Sequence, residues 1–327
     1  MSSFITLPPG ATPIVDADEE VFLLYTSLNR ACTKLTGPDG YRGLGHVDSR
    51  KDTLTIHLGL FEDATEMSKD QQLCNISQSP KSKQKRSKKS IDIEIEIAQD
   101  KTALRSRRGD TGSVVWRASV EFCRTVLHQY FFPSGSTIFD YRRLSECNCL
   151  ELGAGTGLLG IALSPLFRAY TATDIAALLP LIRKNVTLNS RPNYGAVGSQ
   201  CTDLIVEELD WLTLASLPSG PSRIRYCPLP GPSSTLNKDN TWDLILAADC
   251  IYHPSLLRPF VDTIEALATP GRTWVIVVVE LRQEDVIREF LNLWLTLGNW
   301  EITRVEGFLD ENYAIWAGHR NSPTPTV

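Results

Sequence analysis

Apolar residues occur along this chain with two different periods. At residues 53–60 (TLTIHLGL) and 91–97 (IDIEIEI) every second residue is apolar, which is typical of a strand with one buried face. We expect these two strands to pair. The segment between them, about 62–90, is polar and carries a basic tract at 81–89, so it predicts a disordered loop. The tract has the composition of a nuclear address or of a dock for an acidic RNA or protein, although a solvated loop is the simpler interpretation.

From residue 149 onward, apolar runs with the length of strands alternate with segments that have the pattern of helices. Strands are predicted at 149–152, 169–174, 203–211, 242–250, 272–280, 300–307 and 312–320. Helices are predicted at 117–130, 157–167, 176–189, 255–268 and 284–297. This alternation predicts an α/β fold with a mostly parallel sheet that is covered on both faces. The last two strands have no helix between them, so we expect an antiparallel hairpin at the edge of the sheet.

One long stretch, residues 213–240, interrupts the alternation because it is rich in Pro, Gly and Ser. A loop of this length is usually functional or disordered. We therefore expect an insertion at this point of the sheet domain.

Composition narrows the class of protein. The 327 residues are 42% hydrophobic with a formal charge of -5, which suits a soluble chain with one large core, or one large and one small. No apolar stretch reaches the ~20 residues that span a membrane, and the N-terminus lacks a secretion signal, so we expect a cytoplasmic protein that could also enter the nucleus. The 8 cysteines form no CxxC pair and predict reduced, buried thiols and no metal site. The small negative net charge argues against nucleic acid as a direct partner. No feature of the sequence requires an oligomer, so we expect a monomer.

A glycine-rich turn, CLELGAGTGLLG, follows the strand at 149–152 and precedes an apolar helix. Glycines here let backbone amides approach a ligand at the carboxyl end of a parallel strand. Gly155, Gly157 and Gly160 also match the dinucleotide pattern, with an acid about twenty residues on. Glu151, just before the glycines, would oppose a pyrophosphate but suits a cationic cofactor. The glycine strand also lies near the middle of the chain, so a sulfonium nucleoside fits better than NAD.

The acid that follows is Asp174, at the end of the next predicted strand (TATD). A carboxylate in this position can accept hydrogen bonds from the two vicinal hydroxyls of a ribose. It could also cap the following helix, since Asp is favoured there. The position beside the glycine turn favours the ribose role.

These motifs resemble the class I, seven-strand S-adenosylmethionine-dependent methyltransferases. TGSVVWRAS from Thr111, LDW ending at Trp211 and AADCIY ending at Tyr252 resemble, more narrowly, the protein-lysine methyltransferases that include the valosin-containing-protein and fungal ribosomal enzymes. The resemblance covers about 107–320 and implies a Rossmann-like seven-stranded sheet. Residues 1–106 would then form a small β-containing extension, closer to the fungal ribosomal branch, and 321–327 a tail.

The resemblance also implies a set of cofactor contacts. Without it, the two tryptophans of this set would be core aromatics on composition alone. The implied contacts are Trp116, Gly153, Ala154, Gly155, Asp174, Trp211 (expected near the adenine) and Ala248, with Glu151 from the charge argument.

Methyl transfer to lysine would explain a carboxylate at the end of the apolar strand LILAAD. A lysine with a free pKa near ~10.4 must lose a proton before it can attack. Asp249 could bind the cationic lysine and then aim its lone pair, while Tyr252 walls the channel through cation-π attraction. The alternative is that Asp249 caps the helix that starts near His253, which we interpret as a surface histidine.

Glu280, at the end of the next strand, is expected on the same rim and to contact the substrate. Its surroundings depart from the aromatic-Glu-x-Arg form of the animal relatives, because Val279 precedes it while Arg282 is retained. The resemblance suggests a ribosomal protein as the substrate, but this departure weakens any transfer of substrate identity from the animal enzymes.

Three hypotheses remain open on the sequence. The first is a protein-lysine methyltransferase, the second an NAD(P)-dependent oxidoreductase, and the third a non-catalytic module that uses the fold to present its basic loop. The first predicts S-adenosylmethionine as cofactor, and the second predicts NAD(P) in the glycine turn.

Overall fold

The computed structural model of this chain describes residues 4–8, 11, 13–34, 45–62, 90–100, 111–133, 137–190, 204–230 and 241–322. The predicted basic loop lies outside the described residues over 63–89, and so does the part of the predicted insertion at 231–240. None of the described helices is long and apolar enough to cross a membrane.

Nine strands and nine α-helices are described. The strands are β1 (Thr53–Phe61), β2 (Ser90–Ala98), β3 (Asn148–Leu152), β4 (Ala169–Asp174), β5 (Leu204–Glu208), β6 (Leu244–Ala248), β7 (Trp274–Glu280), β8 (Trp300–Arg304) and β9 (Tyr313–Arg320). The helices are α1 (Ala17–Lys34), α2 (Arg117–Phe131), α3 (Tyr141–Leu144), α4 (Leu158–Leu163), α5 (Leu179–Leu188), α6 (Trp211–Ser216), α7 (Pro221–Tyr226), α8 (Pro254–Leu267) and α9 (Glu284–Leu295), and a 3-10 turn (Ser164–Leu166) follows α4.

Seven of the strands form one sheet in the order β5-β4-β3-β6-β7-β9-β8. The five neighbouring strands β5, β4, β3, β6 and β7 are parallel to one another, and β9 is antiparallel to both β7 and β8. The predicted α/β sheet with its C-terminal antiparallel hairpin is therefore confirmed. Every residue of β3 is buried, as expected for a central strand with helices on both faces. The carboxyl ends of β4, β3, β6 and β7 consequently meet at one edge.

The two alternating strands near the N-terminus pair as predicted. β1 and β2 are antiparallel, with Thr53 opposite Ala98. Their apolar face packs against α2, α4 and α5, so the hairpin is part of the core on that side of the sheet. Asn185 of α5 and Asn189, the residue that caps the end of α5, bind the edge of β2. Asn185 accepts from the Ala98 amide (2.8 Å) and donates to the Ala98 carbonyl (3.0 Å), and Asn189 does the same for Glu96 (3.0 and 2.8 Å).

Helix α1 and the short helix α3 were not predicted from the sequence, and α1 is the longer of the two. Val21, Leu24 and Leu28 of α1 are buried in the core that includes α9. Glu20, also buried, accepts from the Trp316 indole (3.0 Å) and pairs with Arg304 (3.0 Å), which joins α1 to the β8-β9 hairpin. A start signal was present, because an acid at 16 is followed three residues later by a glutamate, a pattern of helix N-termini.

The largest differences from the prediction lie between residues 203 and 240. The strand predicted at 203–211 ends at Glu208, and Trp211 opens helix α6 instead of closing a strand. The physical reason is Asp210, whose side chain accepts from the Leu212 amide (2.9 Å) and caps the helix. The insertion expected as a loop at 213–240 holds most of α6 and all of α7, the latter started by Pro221.

Candidate active site

The glycine turn between β3 and α4 has a backbone that only glycine adopts easily. Gly153, Gly155 and Gly157 have φ of 67°, 57° and 80°. The turn is also crowded, since a Cβ added at Gly155 would lie 2.9 Å from the Gly112 carbonyl oxygen. Gly112 belongs to the TGSVVW segment, so the two motifs predicted for the cofactor are in contact. Between the glycines, the Ala154 amide donates to the Thr173 carbonyl of β4 (2.9 Å).

Asp174 holds this turn in place. Its Oδ2 accepts from the Gly155 amide (2.7 Å), and its Oδ1 accepts from the Ile175 amide (2.7 Å). The alternative role as a helix cap is wrong, because α5 begins at Leu179 with Leu178 in the cap position. The carboxylate of Asp174 is half-buried, and a carboxylate oxygen can accept more than one hydrogen bond. Asp174 can therefore bind ribose hydroxyls in addition to these amides, and its ribose role stays a prediction.

Glu151 lies beneath the glycine turn. It is buried, and its Oε2 accepts from the Tyr170 hydroxyl (2.9 Å). Burial, together with the nearby charge of Asp174, raises the pKa of Glu151 to about 8, although the bond from Tyr170 favours the charged form. The carboxyl is therefore mostly protonated at neutral pH, which weakens the argument that its charge opposes a pyrophosphate. Its contact with the cofactor stays a prediction.

Two side chains pack against Gly153. A Cβ added there would lie 2.8 Å from the Cys250 sulfur and 3.2 Å from the Trp211 ring. Cys250 donates to the Leu152 carbonyl (3.2 Å), and the Trp211 ring lies 4.8 Å from that of Phe260. Trp211 thus borders the glycine turn as predicted for a residue near the cofactor, although it does so from the start of a helix.

Asp249 directly follows β6 and has an unusual backbone for an aspartate, with φ of 59°. Its side chain is only 1% exposed. Oδ1 accepts from the Arg282 guanidinium and, at 3.4 Å, from the Glu280 amide, whereas Oδ2 is buried with no hydrogen-bond partner in the described parts of the chain. Burial raises the pKa of Asp249 and the charge of Arg282 opposes this.

The helix-cap interpretation of Asp249 is wrong. Helix α8 is capped by His253, whose ring nitrogen accepts from the Ser255 amide (3.3 Å), and this histidine is exposed as predicted. Tyr252 is half-buried beside it and Ala248 half-buried at the end of β6. Ala248, Asp249 and Tyr252 therefore follow one another at the edge that carries the glycine turn, in the order that the resemblance implies.

Arg282 has a second partner, Trp116. Its guanidinium carbon lies 4.7 Å from the centre of the Trp116 ring, and the Trp116 indole donates to the Thr111 carbonyl (2.9 Å). The His46 ring also contacts Trp116, with 6.1 Å between the two ring centres. Trp116 therefore joins the TGSVVW segment to the pair formed by Asp249 and Arg282.

The N-terminal extension reaches this site through Gly45. A Cβ added to Gly45 would lie 2.5 Å from Glu280 Oε2 and 2.6 Å from Arg282 Nη1. Arg282 had no predicted role, and Gly45 was not predicted to lie near the site. The spacing of Arg282 from Glu280 was a weak signal for Arg282, whereas nothing in the local sequence marks Gly45.

One group of possible metal ligands exists in the part of the chain that the structure covers. His57, Asp92 and Glu94 have ligand atoms within 4.8 Å of one another, and all three are exposed on the hairpin. Exposed acidic groups commonly cluster without a metal, so we assign no site there.

Comparison with known proteins gives the family context. The family model described as lysine methyltransferase matches residues 94–219 and 232–294, more than half of the chain. A Candida glabrata protein named ribosomal lysine N-methyltransferase 5 is 26% identical over 341 residues, covering 84% of this chain and 88% of that protein. A mouse protein named protein-lysine methyltransferase METTL21E is 29% identical over 165 residues, 50% of this chain and 52% of that one.

A further relative has a different name. A Schizosaccharomyces pombe protein named diaminohydroxyphosphoribosylamino-pyrimidine deaminase is 32% identical over 203 residues, 60% of this chain but only 41% of that protein. The chain thus spans less than half of that relative's length. Nucleobase deaminases of the zinc type carry His-x-Glu and Pro-Cys-x-x-Cys motifs, and neither occurs in this sequence.

Proposed function

Because the chain belongs to the lysine methyltransferase family, we propose that it transfers a methyl group from S-adenosylmethionine to the amine of a lysine in another protein. The observation that carries this proposal is the buried Oδ2 of Asp249, which lacks a hydrogen-bond partner among the described residues. Leaving such an oxygen unpaired costs about 1–3 kcal/mol, so the position suits a donor that arrives with the substrate.

The residues around the glycine turn fit this cofactor. Gly153 and Gly155 leave no room for side chains, so backbone amides line the turn. Asp174 places a carboxylate there for the ribose hydroxyls, and Trp211 offers a ring face near the adenine. When bound, S-adenosylmethionine supplies the methyl carbon, which bonds to the lone pair of the lysine nitrogen while the electrons of the carbon-sulfur bond stay on sulfur.

The side chain of Asp249 can serve the lysine in two states. A lysine ammonium has no lone pair, and its positive charge is attracted to the ionised carboxylate. Once its proton has passed to solvent, the neutral amine still donates an N–H to Oδ2, which fixes the direction of the lone pair. Tyr252 would border the lysine side chain and Glu280 would add negative charge at the rim, as the sequence suggested.

The substrate we propose is a ribosomal protein, supported by the name of the Candida glabrata relative, which aligns over most of both chains. A cytoplasmic or nuclear location and a fungal origin are likewise proposals. Membership of the lysine methyltransferase family disfavours the oxidoreductase hypothesis. The non-catalytic alternative is addressed by the experiment that follows.

The test uses the purified protein, tritiated S-adenosylmethionine and a lysate from cells that lack the endogenous enzyme. We expect labelled protein bands whose acid hydrolysate contains methyl-lysine. Asp249→Asn keeps the size of the side chain but removes its charge, and should reduce labelling by about 100-fold or more, as for loss of an electrostatic contact in a catalytic site.

Binding of S-adenosylmethionine, measured by calorimetry, should be retained in Asp249→Asn. Asp262→Asn, which alters a surface aspartate paired with Arg258, is the matched control and should label normally. Equal labelling by wild type and Asp249→Asn would show that the assignment of the aspartate is wrong.

A further inference from the structure

We infer that Arg282 is a positioning residue of the lysine site: stacked on Trp116, it holds Oδ1 of Asp249 so that the carboxylate stays ionised and presents Oδ2 to the substrate. This inference rests on the proposed function. It gives a role to a residue that the sequence motifs left without one.

The first support is the geometry around Asp249. Its Oδ1 is held from two sides, by the Arg282 guanidinium and by the Glu280 amide at 3.4 Å, while Oδ2 is left for a further donor. The Asp249 side chain is 1% exposed and that of Arg282 is 23% exposed, so the carboxylate is the more deeply buried partner of the ion pair. A carboxylate with one oxygen engaged retains acceptor capacity on the other.

The second support is the position of Trp116. The centre of its ring lies 4.7 Å from the guanidinium carbon, a cation-π contact that restrains Arg282 in addition to the ion pair. The same indole is fixed by its bond to the Thr111 carbonyl (2.9 Å) in the segment that contacts the glycine turn. The orientation of Asp249 is therefore connected to the cofactor loop through Arg282 and Trp116.

The third support is the balance of charge. Arg282 Nη1 and Glu280 Oε2 both lie within 2.6 Å of the point where a Gly45 side chain would begin, so Glu280 belongs to the same group of charges as Arg282 and Asp249. With Asp249 and Glu280 ionised, this group carries one net negative charge, which a lysine ammonium would neutralise. Among the described residues, the Cys250 thiol is a further titratable group near Asp249, and it also lies in the field of Asp174 and Glu151.

A competing interpretation is that Arg282 occupies the place of the substrate lysine and must leave before it binds. The free Oδ2 argues against this, because the carboxylate can bind both cations at once. The two interpretations predict opposite effects of removing Arg282, so the experiment separates them.

The primary experiment measures Asp249 directly. In protein labelled with ¹³C at the aspartate carboxyl carbons, the Asp249 signal is assigned by its loss in Asp249→Asn and titrated in wild type, Arg282→Gln and Arg282→Lys. Loss of the cation makes the carboxylate less favourable, so the pKa of Asp249 should rise by about one unit or more in Arg282→Gln. Arg282→Lys keeps the charge and should restore most of the wild-type value.

Catalysis should follow the same order. The rate of labelling of the strongest lysate band is measured between pH 6 and pH 9. In Arg282→Gln the acidic limb should move to higher pH by about one unit, so the rate of labelling at a pH on that limb should fall by about 10-fold. The affinity for S-adenosylmethionine should stay within about 2-fold, because no described contact places Arg282 on the glycine turn.

A second perturbation reaches Arg282 from outside the ion pair. Gly45→Ala places a methyl group against Arg282 and Glu280 and should displace the guanidinium, so it should shift the acidic limb in the same direction as Arg282→Gln. Gly307→Ala is its control, because Gly307 also has a positive φ (70° against 89°) but nothing within 4 Å of an added Cβ.

Arg304→Gln controls for loss of a partly buried ion pair, since Arg304 is also 23% exposed and pairs with buried Glu20. It should leave the pH profile unchanged. An equal shift in Arg304→Gln and Arg282→Gln, or faster labelling and a lower KM in Arg282→Gln, would overturn the inference. If Asp249→Asn abolishes labelling while Arg282→Gln has the wild-type profile, only this inference fails; if Asp249→Asn labels normally, the proposed function fails.

Discussion

The backbone of Asp249 is the residue-scale feature that best separates function from stability. Two non-glycine residues have positive φ in the described chain, Asp249 and Asn299, both at 59°. Asn299 follows Gly298 in a turn, where asparagine tolerates this conformation. Asp249 combines the strain with a buried, incompletely bonded carboxylate, so neither its backbone nor its side chain favours folding. Such costs persist at positions that are selected for function.

Replacing Asp249 with glycine should therefore stabilise the protein and inactivate it. Asp249→Gly relieves the strained φ and the buried carboxyl, and we expect the free energy of unfolding to rise by about 1 kcal/mol, measured by urea denaturation, while lysate labelling is lost. Arg282 loses its ion pair with Asp249, but its side chain is partly exposed and can turn to solvent.

Asn299→Gly is the matched control, because it removes the same φ of 59° at an exposed position. It should raise stability by a similar amount, about 0.5–1 kcal/mol, without affecting labelling. A strongly destabilised Asp249→Gly would mean that the ion pair with Arg282 supports the fold, contrary to this interpretation.

Sequence alone located most of the candidate site but not its internal contacts. The glycine turn, Asp174 and Asp249 were predictable because each follows an apolar strand, and parallel strands bring their carboxyl ends to one edge. The contacts of Arg282 with Trp116 and Gly45 join positions more than 150 residues apart, and they depend on side-chain conformations that no periodic pattern records.

At the scale of elements, strands with a strict period were predicted well, and elements that depend on a capping residue were not. β1 and β2 were recognised because their alternation is undisturbed over whole strands. Helix α1 and the start of α6 depend on Asp16 and Asp210, single residues whose side chains accept from the Glu19 and Leu212 amides. A single capping residue determines where each of these helices begins, and a prediction based on hydrophobic runs does not detect it.

The attachment of the hairpin to the sheet domain depends on Asn185. This buried side chain bonds both backbone groups of Ala98 and donates to the Thr156 carbonyl (2.9 Å) beside the glycine turn. Asn185→Ala would leave these buried groups without partners, so we expect a loss of about 2–4 kcal/mol in the free energy of unfolding. Hydrogen exchange should accelerate in the peptide that contains Ala98.

Asn189→Ala provides the comparison. Asn189 lies four residues further on, as the C-cap of α5, and makes the equivalent pair of bonds to Glu96, but it is only half-buried. Solvent can replace those bonds, so its loss should cost about 1 kcal/mol or less. Similar losses in the two variants would indicate that burial of Asn185 does not determine its contribution.

At the scale of the whole molecule, the N-terminal elements share their cores with the sheet. Leu58 and Ile95 of the hairpin belong to the same buried cluster as Leu158 of α4, on one face of the sheet. Val21 of α1 belongs to the cluster with Phe290 of α9 on the other face. The division into an extension at 1–106 and a domain at 107–320 stays a prediction of the sequence, but these shared cores lead us to expect one cooperative unfolding transition.

Cofactor binding should stabilise that single unit. A ligand that binds only the folded chain, at about 100 times its Kd, adds about 2.7 kcal/mol to the free energy of unfolding. For a chain of this size that corresponds to a rise in Tm of about 4 °C. S-adenosylhomocysteine should produce this shift in calorimetry or dye-based melting, in a single transition, and NADH should not.

A substitution in the glycine turn tests whether the rise in Tm comes from ligand bound at that turn. Gly155→Ala puts a Cβ 2.9 Å from the Gly112 carbonyl at φ of 57°, so the turn must open and the shift from S-adenosylhomocysteine should disappear. Gly307→Ala, with φ of 70° and open space around the added Cβ, should retain it. A shift with NADH that Gly155→Ala removes, without one from S-adenosylhomocysteine, would contradict the assignment of the cofactor. Two transitions, of which only one responds to ligand, would instead show that the N-terminal elements unfold separately from the sheet.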